Sequence, residues 1–148
     1  MELSNCHLVF KMDKEALIKQ IQRHEGLRLF PYRCSAGKLT IGYGRNLDDK
    51  GISKSEACAM LSNDIHLCIT QTQDNIPFFN NLNDIRQNVL VNMCFNLGIH
   101  GLLKFKKFLK ALELENYEDA SIEMLDSRWA KQVGIRANEL SEQIRTGK

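Results

Sequence analysis

Apolar positions along the chain change their period twice, and each change predicts an element. After Asp13, Ala16, Leu17 and Ile21 recur at helical spacing, and the Asp13 carboxylate can cap the free amides that follow, so a helix is expected over 13–24. Glu25-Gly26 closes it, because glycine accepts the left-handed backbone that ends helices. Over residues 27–47 the period shortens. Two runs rich in aromatic and branched residues, 27–33 and 38–44, flank Cys34-Ser35-Ala36-Gly37 and predict a hairpin. Gly42 and Gly44 inside the second run mark a bulge or a place where backbone approaches another group closely.

Helical spacing then returns. Ser53 and Glu56 stand three apart, as in a pair that caps each other's backbone amides, and Ala57, Met60, Leu61, Ile65, Leu67 and Cys68 continue a helix over about 53–73. At about 1.5 Å per residue, such a helix is long enough to bridge two lobes. After a break at Asn75-Ile76-Pro77, residues 82–97 are the most apolar stretch, which predicts a helix buried on most sides at the centre of a larger lobe, ended by Gly98. Asn88, Asn92 and Asn96 interrupt it at i, i+4 and i+8, and are expected to act as buried anchors that need partners. Helices follow at 102–113, 116–124 and 136–144, with Trp129 between the last two as a core residue. The predicted class is α+β. One domain over 1–148 is expected, with a small β lobe at 26–52, a connecting helix at 53–73, and a helical lobe made of 76–148 and the helix at 13–24.

Composition narrows the function classes. The chain has 148 residues, 43% hydrophobic and 26% charged, with two prolines, which fits a globular body large enough to bury a core unaided. Its net charge is +2, spread as 9 basic and 6 acidic groups in residues 1–50, 2 and 4 in 51–99, and 9 and 8 in 100–148. Apart from Lys104, Lys106, Lys107 and Lys110 there is no basic stripe, so no nucleic-acid partner is expected. Five cysteines make an odd count without Cys-x-x-Cys spacing, which argues against zinc and against a disulfide scaffold. Cys58, Cys68 and Cys94 lie in apolar helical stretches and are expected as core thiols. The apolar run near the N-terminus is too short for a signal peptide, and no run reaches about 18 residues, so cytoplasmic synthesis without stable membrane insertion is expected.

Glu25, Cys34 and Thr40 are the candidates for chemistry. Cleaving an acetal takes a carboxylic acid that protonates the leaving oxygen and a second group that directs water to the opposite face. Glu25, at a helix end beside a glycine-rich ribbon, is placed for the acid if that position is partly desolvated. Taken alone these residues leave the question open, since a glutamate at a helix end is ordinarily a solvated group.

His24-Glu25-Gly26-Leu27-Arg28-Leu29, Tyr32, Ala36-Gly37 and Thr40-Ile41-Gly42-Tyr43-Gly44 closely resemble the active-site signature of the phage-type lysozymes, the endolysins of glycoside hydrolase family 24. In that family a Glu, eight residues, an Asp or Cys, five residues and a Thr form the catalytic triad, and Glu25, Cys34 and Thr40 meet both spacings. The similarity continues through Ser53-Lys54-Ser55-Glu56-Ala57, residues 92–98, Ser127-Arg128-Trp129, Arg136-Ala137 and Arg145-Thr146-Gly147.

The resemblance implies a lysozyme-like fold with a cleft between two lobes, and an inverting muramidase that cuts the β-1,4 bond between N-acetylmuramic acid and N-acetylglucosamine. Glu25 would be the general acid, with Cys34 and Thr40 holding the attacking water. Tyr32, Gly42 and Asn96 would meet the sugars, and His24 is expected at the surface. Arg136 falls where the family places an arginine that pairs with the catalytic Glu. Arg45 replaces the family's usual His, whose carboxylate partner aligns with Asp64, so an Arg45–Asp64 pair is expected. No metal or organic cofactor is implied. The partner is the peptidoglycan glycan strand, reached by a monomer from the host cytoplasm once a holin opens the membrane. A noncatalytic peptidoglycan-binding module and an antibacterial effector with the same chemistry are the alternatives.

Overall fold

The computed structural model describes residues 12–148. The chain divides into two compact units, one ending at Glu56 and the other running from Ala57 to Lys148. The opening helix, α1 (Lys14–Glu25), starts as expected: the Asp13 carboxylate accepts the Ala16 N–H at 3.0 Å. It ends where Gly26, at φ +67°, returns its N–H to the Gln22 carbonyl at 3.0 Å.

Three antiparallel strands follow, β1 (Arg28–Arg33), β2 (Leu39–Gly42) and β3 (Arg45–Asn46), lying in chain order. Tyr32 faces Thr40 and Arg28 faces Gly42, with a slip of register between the two pairs. The predicted hairpin thus gains a third strand. Gly42 and Gly44 both take the left-handed backbone, φ +68° and +74°, which lets the chain reverse within three residues so that Arg45 returns opposite Ile41. A single turn of helix, α2 (Leu47–Lys50), is capped by Asn46, whose side-chain oxygen accepts the Asp49 N–H at 3.0 Å. At the start of α3 (Lys54–Asn75) both halves of the expected capping pair form: Glu56 N–H donates to Ser53 Oγ at 3.2 Å, and Ser53 N–H to Glu56 Oε2 at 2.7 Å.

The second unit is helical. After α3 come α4 (Asp84–Leu97), α5 (Ile99–Leu102), α6 (Lys106–Glu113), α7 (Tyr117–Leu125), α8 (Arg128–Val133) and α9 (Ile135–Thr146). Val89, Leu90 and Met93 of α4, Leu102, Phe108, Leu112, Met124 and Ile144 are fully enclosed and form the core. Trp129 sits on α8 and belongs to that core as expected, 4% exposed and edge-on to Phe105 with ring centroids 6.0 Å apart. The class is α+β, as the sequence predicts.

Two expectations are corrected here. On α4 only Val89, Leu90, Met93 and Cys94 are buried, a single face, and Asn88, Asn92 and Asn96 lie on the exposed remainder. The amide row is therefore a solvent-facing stripe, although Asn96 does anchor Trp129, accepting the indole N–H at 2.8 Å. Cys58 is exposed, because α3 buries only Cys68 and Thr72. Cys68 and Cys94 are buried thiols as expected, and burial together with the neighbouring Cys94 pushes the Cys68 thiol up to about 11, so it stays protonated and unreactive.

Phe108 is the largest fully buried side chain, so Phe108→Ala removes both transfer energy and packing. We expect it to lower the unfolding free energy by about 3–5 kcal/mol in urea titrations with an unchanged slope. A loss under about 1 kcal/mol would contradict this account of the core.

Candidate active site in the glycine-rich sheet unit

Glu25 is the last residue of α1, and its carboxyl group lies on the backbone of Gly44 in the β2–β3 turn. A methyl group at Gly44 would sit 2.7 Å from Glu25 Oε2 and 3.1 Å from Cδ. The second glycine of the Gly-x-Gly pair is thus required for its left-handed backbone, and a Cβ there would push the Glu25 carboxyl from its place. The expected partial burial of Glu25 is not found. It is exposed, as is every residue of α1.

Cys34 sits in the tight turn between β1 and β2. Its N–H donates to the Lys38 carbonyl at 3.0 Å, and Gly37 N–H donates to the Cys34 carbonyl at 2.8 Å. The backbone N–H groups of Ala36 and then Lys38, followed by the Thr40 hydroxyl, favour a charged sulfur and hold the thiol below the ordinary cysteine range. Thr40 is 4% exposed, and its hydroxyl donates to the Lys38 carbonyl at 3.0 Å. Once the sulfur is charged the same proton can turn toward it. The turn therefore brings together two of the three candidates, a thiol disposed to ionise and a fixed hydroxyl.

Tyr32, half-buried opposite Thr40, carries the Arg28 guanidinium 4.4 Å over its ring centroid. Gly42 ends β2 opposite Arg28, and a Cβ there would meet nothing within 4 Å, so its backbone is open to a ligand. His24 is exposed, as expected. In the second unit, Asn96 is exposed on α4 and Arg136 is exposed on α9, where it lines a pocket of about 360 Å³ with Leu61, Ile65, Asn92 and Phe95.

The partner of Arg45 differs from the expected Asp64. Its guanidinium forks onto Glu56, 2.7 Å to Oε1 and 3.2 Å to Oε2, and also donates to the Gly51 carbonyl at 3.2 Å. Glu56 lies one helical turn into α3, where the capping pair already fixes it, whereas Asp64 lies two turns further along the exposed side of that helix. Sequence reasoning read Glu56 only as a cap and marked Gly44 without its neighbour. The serine-glutamate spacing and the second glycine were the available signals. Among the described residues no group of three His, Cys, Asp or Glu side chains could hold a metal ion.

Comparison with known proteins gives the chain its relatives. The profile of the family described as Phage lysozyme matches residues 22–145. The chain is 31% identical to "Probable T4-type lysozyme 1" of Dictyostelium discoideum over 72% of this chain and 66% of that protein. It is 27% identical to "Probable T4-type lysozyme 2" of the same organism, over 89% of this chain and 95% of the relative. It is 34% identical to "Endolysin" of Acyrthosiphon pisum secondary endosymbiont phage 1, over 75% of each chain.

Two predictions follow from the carboxyl seat and the turn thiol. Gly44→Ala should destabilise the fold by about 1–2 kcal/mol, the cost of left-handed backbone, and shift the Glu25 carboxyl carbon resonance. Unchanged stability with an unmoved resonance would contradict the seat. Iodoacetamide should label Cys34 with a pH midpoint below that of cysteine in an unfolded peptide, read by mass spectrometry of its tryptic fragment; a midpoint at or above the peptide's would refute the turn as the cause.

Proposed function

This chain belongs to the phage lysozyme family of peptidoglycan-cleaving glycosidases, and we propose that it hydrolyses the β-1,4 bond between N-acetylmuramic acid and N-acetylglucosamine with inversion at the anomeric carbon. The observation that carries the reading is the Glu25 carboxyl seated on the Gly44 backbone in the same small unit as the Cys34–Thr40 turn.

In the reaction, protonated Glu25 gives its proton to the glycosidic oxygen as the bond to the anomeric carbon breaks. Water held by the Cys34 sulfur and the Thr40 hydroxyl attacks from the opposite face, and the thiolate takes the proton that this water loses. The charges balance: one proton leaves Glu25, one arrives at Cys34, and exchange with solvent restores both. Negative charge on the sulfur also favours the positive charge that develops at the anomeric carbon. Because Glu25 is exposed in the free chain, the glycan itself supplies the desolvation, displacing water as it binds and favouring the neutral carboxyl. Tyr32 and the open backbone at Gly42 meet sugar rings. The arrangement calls for no metal or organic cofactor.

The biological setting we propose is host lysis. The chain acts as a monomeric endolysin, made in the host cytoplasm and admitted to the cell wall by a holin. The support is the likeness to a relative named Endolysin, together with described helices of which none is long and apolar enough to cross a membrane.

Clearing of chloroform-treated Gram-negative cells tests the chemistry. Glu25→Gln should slow clearing by at least about a hundredfold, the scale of a lost general acid. Equal rates for the two proteins would leave a binding module and remove the enzyme.

A further inference from the structure

The pair formed by Arg45 and Glu56 does more than join two charges. The Glu25 carboxyl is seated on a turn whose ends, Gly42 and Gly44, are both left-handed glycines. Such a turn reverses tightly, but its two end residues have no Cβ to stiffen it, so the position of Gly44 has to be set from outside. The strand that leaves the turn, β3, is only two residues long and pairs at Ile41–Arg45 and Thr40–Asn46 alone. The residue joined to Gly44 by a peptide bond is Arg45. Its guanidinium has three anchors: Glu56 Oε1 at 2.7 Å, Glu56 Oε2 at 3.2 Å and the Gly51 carbonyl at 3.2 Å.

Glu56 is itself immobilised. Its Oε2 accepts the Ser53 N–H at 2.7 Å, and its own N–H is held by Ser53 Oγ. The Ser53 backbone N–H, then the Ser53 hydroxyl, and then the Arg45 guanidinium hold its carboxyl below the usual carboxylate range, so the fork stays charged through neutral pH. A chain of short contacts therefore leads from the first turn of α3 through Glu56, Arg45 and Gly44 to the Glu25 carboxyl.

We propose that Arg45 and Glu56 are positioning residues for Glu25: the fork ties the β2–β3 turn to the start of α3 and so fixes the backbone seat of the catalytic carboxyl. The inference rests on Glu25 being the acid of the proposed reaction. A planar, bidentate guanidinium suits the role better than a point charge, because it fixes direction as well as distance. Both side chains are half-exposed, where an ion pair contributes little to folding, so positioning and stability can be separated by experiment.

Two conservative variants and one control make the test. Arg45→Lys keeps the charge without the fork, and Glu56→Gln keeps an acceptor for Ser53 while weakening the fork. Asn116→Ala removes a capping bond at the start of α7, in the second unit, and leaves every contact of Arg45 and Glu56 in place. On soluble, dye-labelled peptidoglycan fragments, we expect kcat to fall about tenfold in both fork variants with KM within about twofold, and kcat to be unchanged in Asn116→Ala despite a lower melting temperature. In the fork variants the Gly44 amide should exchange faster and the Glu25 carboxyl carbon resonance should move. Unchanged kcat, a loss confined to KM, an equal loss in Asn116→Ala, or unmoved Gly44 and Glu25 signals would each overturn the proposal. If instead wild type and Glu25→Gln hydrolyse at the same rate, it is the enzymatic reading that fails, and the two NMR signals still decide whether the fork sets the seat.

Discussion

A carboxyl group resting on a glycine backbone is the constraint around which this molecule is arranged. For Glu25 to lie on Gly44, α1 must end at Glu25, the next residue must accept a left-handed turn, and the ribbon must reverse without a side chain at the point of contact. Gly26, Gly42 and Gly44 meet those requirements, and each stands where a Cβ would carry backbone strain. The seat is local: helix end, turn and ribbon all fall within residues up to Glu56. The larger apolar core lies in the second unit and holds the buried apolar side chains that stabilise the fold.

The cysteines show how one residue type divides by surroundings. Cys68, enclosed among helices and beside Cys94, is pushed toward its neutral form and behaves as packing. Cys34, in a turn whose amides point toward it, is pulled the other way, toward its charged form. This second environment is built from backbone N–H groups rather than cationic side chains. A turn of fixed geometry can therefore prepare a thiol without adding a positive charge that would compete for the substrate or for Glu25.

Much of this was legible in the sequence. Helix starts at Asp13 and Ser53 are capping chemistry, which depends on a few adjacent residues, and both formed as expected. The two glycines announced a close approach of backbone, and spacing combined with family likeness singled out the three candidate catalytic residues. What could not be read was tertiary. The apolar run of α4 gave no sign that only one face would be covered, which left the Asn88, Asn92 and Asn96 row in solvent and Cys58 on an uncovered stretch of α3. The partner of Arg45 was missed because alignment offered Asp64, while the three-dimensional position of β3 offers Glu56, already fixed by its capping bond. The exposure of Glu25 was missed for the same kind of reason, since no local pattern reports how much of a helix end is covered.

Stereochemistry of the first product tests the proposed division of labour most directly, because acid and water-holder act on opposite faces of the sugar. NMR spectra recorded as soluble glycan strands are cut should show the new reducing N-acetylmuramic acid end appearing in the α configuration and only later equilibrating with β. Initial release as β, or as a 1,6-anhydro sugar, would mean that the Cys34–Thr40 turn does not deliver water to the anomeric carbon, and the account built on it would fail.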